Sequence, residues 1–132
     1  MKPDRYLVDT SIWVSYFNGD NSLEDRIKSL ILKDKVLTTG VIILETLRGA
    51  RSAAGYNQLY LDFKALPSLE VDSAVWEESY QIGFKLRKAG VAVPLADILI
   101  ASIAIRHRSP LLHRDKHFTL IAKNTKLDQE QI

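Results

Sequence analysis

Tyr6-Leu7-Val8-Asp9-Thr10-Ser11-Ile12-Trp13, the stretch YLVDTSIW at residues 6–13, puts a carboxylate directly behind an unbroken apolar run and two hydroxyls directly behind the carboxylate. An apolar run without polar alternation fits a strand covered on both faces, as in a parallel sheet, and Arg5 to Val8 is read as that strand. Asp9 then either caps a short helix read from about Ser11 to Phe17 or stands at the carboxyl edge of the sheet, where open α/β folds bind their ligands. Both readings explain an aspartate where an apolar residue would be cheaper.

Strand and helix signals alternate along the rest of the chain. Asn18-Gly19-Asp20-Asn21 is a cluster of turn formers, and Ser22 followed by Asp25 resembles a capping box opening a helix to about Lys33. Lys35 to Thr39 reads as a second strand. The run VIILETLRGA after Gly40 reads as a helix stopping near Gly49, and Gly55 to Leu66 as another, ended by Pro67. Leu69 to Val71 is a third short strand. Asp72 caps a long helix from Ser73 to about Lys88, and Ala89-Gly90 closes it. Pro94 precedes ADILIASIAIRH, a helix apolar on nearly all sides and therefore central in the core. Ser109 to His113 is a further strand. A terminal strand is placed within LIAKNTKLDQEQI (120–132), and no element is assigned to 114–119. The alternation predicts an α/β fold around a mainly parallel sheet.

The chain has 132 residues, 46% of them hydrophobic, which fits a single domain spanning 1–132. Its 18 Lys and Arg against 16 Asp and Glu give a net charge of +2, too small for a polybasic nucleic-acid or membrane binder, though an anionic partner remains compatible. The absence of cysteine excludes a disulfide framework and thiolate-bound zinc, and suits a reducing cytosol. No signal-peptide pattern and no membrane-length apolar run is found, so a soluble, cytoplasmic protein is expected.

Four acids sit where neutral residues would be cheaper: Asp9, Glu45, Asp97 and Asp115. Asp9 and Asp115 each follow a strand, Glu45 interrupts the run VIIL, and Asp97 opens the apolar helix, so all four can face one sheet edge. Taken singly, each has a structural explanation: Asp9 as a cap, Asp97 as a complement to the helix dipole, Glu45 as a surface residue, Asp115 as a solvated turn. If they converge, their repulsion and lost hydration demand protonation or a cation. Oxygen ligands without cysteine select a hard ion, Mg²⁺ or Mn²⁺, and such ions serve phosphodiester hydrolysis.

The segments LVDTSIW (7–13), ILETLRGA (43–50), PLADILIASIA (94–104) and LLHRDKHF (111–118) together resemble the PIN-domain ribonucleases, and within them the VapC-like toxins of toxin–antitoxin pairs. They stand in that family's order and at about its spacing. The resemblance implies a three-layer α/β/α fold with a sheet of four to five short strands. It implies that Asp9, Glu45, Asp97 and Asp115 form the catalytic quartet holding Mg²⁺ or Mn²⁺, with Asp9 and Asp97 the surest ligands. Thr10 or Ser11 would hold a carboxylate or a metal-bound water by hydrogen bonding. Arg48, Arg114 and Lys116 would contact RNA or an antitoxin.

The implied activity is an endoribonuclease toxin acting on structured RNA, tRNA or rRNA, neutralised by a cognate VapB-like antitoxin, and the implied assembly is a homodimer. The alternative is a catalytically inactive PIN-like module that binds RNA or protein. An aspartyl-phosphate hydrolase is a weaker rival, because its motif needs a second Asp where Ser11 stands. His113 replaces the Thr or Ser more common in the family at that position. His113 and His117 flank Asp115, but they are expected to serve a strand end and RNA or packing contacts rather than zinc binding or acid–base chemistry. Trp13 and Trp76 are expected to pack in the core or at a partner interface, and His107 to belong to a solvated helix end.

Overall fold

The computed structural model describes residues 5–132; residues 1–4, expected to belong to the domain and to carry no leader, lie outside them. The chain runs β1 (Tyr6–Val8), α1 (Thr10–Phe17), α2 (Asn21–Leu32), β2 (Val36–Thr39), α3 (Gly40–Arg48), α4 (Ala53–Lys64), β3 (Ser68–Leu69), α5 (Ser73–Lys88), α6 (Leu95–Arg106), β4 (Leu111–His113), α7 (Lys116–Ala122) and β5 (Gln129–Gln131). The strands form one five-stranded sheet in the order β3-β2-β1-β4-β5, and every pairing is parallel.

The sheet position of β1 follows from its composition. Leu7 and Val8 are fully buried, as a central strand between two helical layers requires, and β1 pairs with β2 through Leu7↔Leu37 and with β4 through Val8↔Leu112. From β1 the chain moves outward through β2 to β3, then crosses back to β4 and continues outward to β5. Right-handed crossovers in opposite directions place α1–α4 on one face and α5–α7 on the other. The reversal falls between β1 and β4, so their carboxyl ends flank the crevice where doubly wound sheets bind ligands.

Helix α6 is buried at Asp97, Ile98 and every residue from Ile100 to Ala104, in keeping with its all-round apolar sequence. Each fully buried Leu or Ile of this core contributes about 1.5–3 kcal/mol relative to exposure.

Some boundaries differ from expectation, each for a local reason. Asp20 rather than Ser22 caps α2: it precedes the first helical residue and accepts from the Ser22 amide at 2.9 Å, while Ser22 lies inside the first turn. Ser52 caps α4 through the Gly55 amide at 3.0 Å, starting that helix two residues before Gly55. The third strand is Ser68–Leu69, earlier than Leu69 to Val71, with its register set by Thr38↔Ser68. Residues 114–119, without an expected element, contain the start of α7, and Asp115, whose explanation taken singly is a solvated turn, caps that helix by accepting from the His117 amide at 2.9 Å. Trp13 is core, 3% exposed and stacked on Phe17, whereas Trp76 is exposed on α5.

Candidate active site

The site is assembled from element ends. Asp9 leaves β1 and caps α1, Glu45 lies on α3, Asp97 is in the first turn of α6, and Asp115 leaves β4 and caps α7. The structural explanations offered for Asp9 and Asp97 are therefore both realised in part, while Asp115 caps a helix instead of standing in a solvated turn. A cap at a strand-to-helix junction still leaves one carboxylate oxygen free to face the crevice.

Two adjacent hydroxyls hold two carboxylates from different elements. Ser11 donates to Asp9 Oδ2 from both its amide, at 2.9 Å, and its Oγ, at 2.6 Å, while its Oγ accepts from the Arg114 amide at 2.9 Å. Thr10 Oγ1 donates to Glu45 Oε1 at 2.8 Å. Both distances lie in the range of good O–H···O bonds.

Electrostatics report the convergence of the four acids. Burial pushes the Asp97 carboxyl up to about 7, with further upward pressure from Asp115, Asp9 and, least, Glu45, against a lowering influence of His117. Burial also raises Asp9, opposed by the Ser11 hydrogen bonds and reinforced weakly by Glu45. Asp9 and Glu45 are thus within electrostatic range of Asp97, while Asp115 stands closest to it.

His117 stands beside Asp97 as well. Its Nδ1 lies 2.9 Å from Asp115 Oδ1 and 3.2 Å from Asp97 Oδ2, a position beside the acids that the expected RNA or packing contacts do not anticipate. The Asp97 side chain is nine-tenths buried, yet among the described residues its Oδ2 has no hydrogen-bond partner, and neither has His117 Nδ1. Asp97, Asp115 and His117 each present one donor atom, all within 4.8 Å of one another. An orphaned carboxylate oxygen amid other carboxylates fits a divalent cation, and a donor set of oxygens with one nitrogen and no thiolate fits a hard or borderline ion. The signal for His117 in sequence is its place two residues after a capping Asp, which turns its side chain back over that carboxylate.

The other sequence candidates fall outside this cluster. Arg114 is engaged within the chain: its guanidinium donates to Asp20 Oδ2, to Ser22 Oγ at 3.2 Å and to the Ile132 carbonyl at 2.7 Å, so it is a brace across the fold rather than a free contact for RNA or an antitoxin. Arg48, in the last turn of α3, and Lys116, at the start of α7, are exposed. His113 is fully buried. The Asp115 amide donates to its Nδ1 at 3.1 Å, which leaves the ring proton on Nε2 to face Gln129 Oε1. That tautomer occupies both nitrogens and removes His113 from metal or acid–base chemistry. His107 ends α6 and bonds the Glu70 carbonyl at 2.8 Å.

Among the described residues, no helix is long and apolar enough to cross a membrane.

The PIN domain family model matches residues 6–124. Ribonuclease VapC11 of Mycobacterium tuberculosis is 35% identical over 126 residues, 92% of this chain and 94% of its own. Among solved structures, VapBC2 from Rickettsia felis bound to a DNA fragment from their promoter is similar with a TM-score of 0.81 at 18% identity, over 96% of this chain and 98% of that one. VapBC-1 from nontypeable Haemophilus influenzae gives a TM-score of 0.79 at 18% identity, over 96% of both chains.

Proposed function

The chain belongs to the PIN-domain family, among its VapC members, and on that premise we propose that it is a metal-dependent endoribonuclease toxin that hydrolyses phosphodiester bonds of structured RNA in the cytoplasm. The observation that carries the reading is the orphaned Oδ2 of Asp97, nine-tenths buried and pressed upon by Asp115, Asp9 and Glu45. Four carboxylates brought to one crevice are tolerated when they share a cation.

Asp9, Asp97 and Asp115 would hold Mg²⁺ or Mn²⁺, with Glu45 beside them. When bound, such an ion neutralises charge on the phosphoryl oxygens and acidifies a water for in-line attack on phosphorus. The chain's own contribution is preorganisation. Ser11 fixes Asp9, Thr10 fixes Glu45, and the helix starts of α6 and α7 fix Asp97 and Asp115, so the donors are set before RNA arrives. Exposed Arg48 and Lys116 are suited to hold the RNA backbone outside the acidic crevice.

The proposal includes one functional domain over 1–132, a VapB-like antitoxin as partner, and a homodimer as the working form. VapC11 and the VapBC structures support the antitoxin. The exposed stripe of Trp76, Tyr80 and Phe84, four residues apart along α5, supports self-association.

The test is cleavage of tRNA and rRNA with and without Mg²⁺ by wild type, Asp9→Asn and Asp97→Asn. Cation-dependent cleavage lost in both variants is expected; undiminished cleavage in both refutes the assignment.

A further inference from the structure

The neighbourhood of His117 has a geometry that a hydrogen bond does not explain. Its Nδ1 approaches two carboxylate oxygens, Asp115 Oδ1 at 2.9 Å and Asp97 Oδ2 at 3.2 Å, without hydrogen-bond geometry to either. A single Nδ1 proton serves one oxygen, and an unprotonated Nδ1 directs its lone pair at two others. One donor atom from each of Asp97, Asp115 and His117 lies within 4.8 Å of the others, close enough for a single ion to be shared by all three. His113, the other histidine beside Asp115, has both nitrogens occupied and is no competitor.

We infer that His117 is a metal ligand through Nδ1, making this a mixed nitrogen–oxygen site that selects Mn²⁺ or another divalent transition-metal ion over Mg²⁺. Imidazole is a good donor to transition-metal ions and a poor one to hard Mg²⁺, which prefers carboxylates and water. The Asp115 cap makes the ligation possible, because the His117 amide bonded to Asp115 Oδ1 brings the ring back over the same carboxylate. This inference rests on the proposed reading of the acidic crevice as a cation site, and adds to it which ion the site prefers and which residue decides.

The experiment is Mn²⁺ binding to the metal-free full chain, followed by electron paramagnetic resonance, with Mg²⁺ as competitor and circular dichroism confirming each variant's fold. Electron spin-echo modulation of bound Mn²⁺ should show ¹⁴N coupling in wild type. His117→Ala and His117→Gln should lose the coupling and weaken Mn²⁺ on the order of ten-fold or more, while Mg²⁺ affinity changes by less than about three-fold. Mn²⁺ bound without ¹⁴N coupling in wild type overturns the inference and leaves the cation-site reading standing. Equal weakening of both ions in the His117 variants also overturns the selectivity. If wild type binds neither ion, the cation-site reading itself fails and this inference fails with it.

Discussion

Thr10 Oγ1 donates to Glu45 Oε1 at 2.8 Å, joining the first residue of α1 to the middle of α3 across 35 residues of chain. The bond orients a half-buried carboxylate that has no other hydrogen-bond donor among the described residues. Thr10→Val keeps the shape and removes the donor. RNA cleavage should fall about ten-fold or more, since displaced supporting contacts typically weaken such sites 10–100-fold. Stability should change by only about 1 kcal/mol, the net worth of one hydrogen bond. Single-turnover cleavage beside thermal melting checks this, and unchanged cleavage counts against a supporting role.

The acidic crevice should make the metal-free protein less stable as pH rises. Asp97 ionises at about 7 in the folded chain against an ordinary value of 3.8, so the folded state binds more protons than the unfolded state between those values. The resulting stabilisation is fully present below 3.8 and is lost as pH climbs through about 7. Asp9, also raised by burial, acts in the same direction. Melting temperatures in chelator should therefore drop from pH 5 to pH 8, and Asp97→Asn should flatten the drop. Added Mn²⁺ should restore stability at pH 8, because a ligand of the folded state alone must stabilise it.

Arg114 and Lys116 should separate by phenotype. Arg114→Ala removes the brace to Asp20, Ser22 and the Ile132 carbonyl, and should lower the melting temperature. Lys116→Ala touches an exposed side chain, and should leave melting unchanged while weakening RNA binding and making it less salt-sensitive. The reverse pattern, with Lys116 governing stability, contradicts both assignments.

His113 should keep its Nδ1 bonded to the Asp115 amide and its Nε2 to Gln129, whatever metal is added. Nitrogen-15 spectra of the ring read this directly; loss of the Nε2–H signal on adding diamagnetic Zn²⁺ would show the ring to be a ligand. His113→Ala leaves the Asp115 amide without its acceptor and a cavity at a fully buried position, a destabilisation of about 2–4 kcal/mol in denaturant titration.

Most of the architecture was legible because local signals and burial agreed. Leu7-Val8 and Leu111-Leu112 lack alternation and are fully buried, and Asp72 opens α5 at the position its sequence indicates. Helix α7 is not legible in the sequence because KHFTLIA is one short stretch whose buried residues, Phe118 and Ile121, give too few turns to establish a period. Its clearest marker was Asp115 as a cap, a residue that the acidic pattern had already explained in another way. Arg114 was misjudged for a different reason. Its partners are 94 and 92 residues away in sequence, and a charge beside a site cannot be told from a brace until those partners are in place.

What the sequence determined by itself was the alternation of strand and helix, the apolar faces that bury β1 and α6, and the four acids, three of them at element ends. These depend on periodicity, capping chemistry and residue type, which act over a few residues. Only the tertiary structure decided that Asp97 and Asp115 lie together, that Thr10 serves Glu45 while Ser11 serves Asp9, and that His117 rather than His113 turns towards them. Those outcomes depend on the reversal of the chain between β1 and β4, which brings the ends of two distant strands side by side. Hydrogen bonds and ion–ion forces act over a few ångströms, so their partners are set by where the sheet places them and not by their separation along the chain.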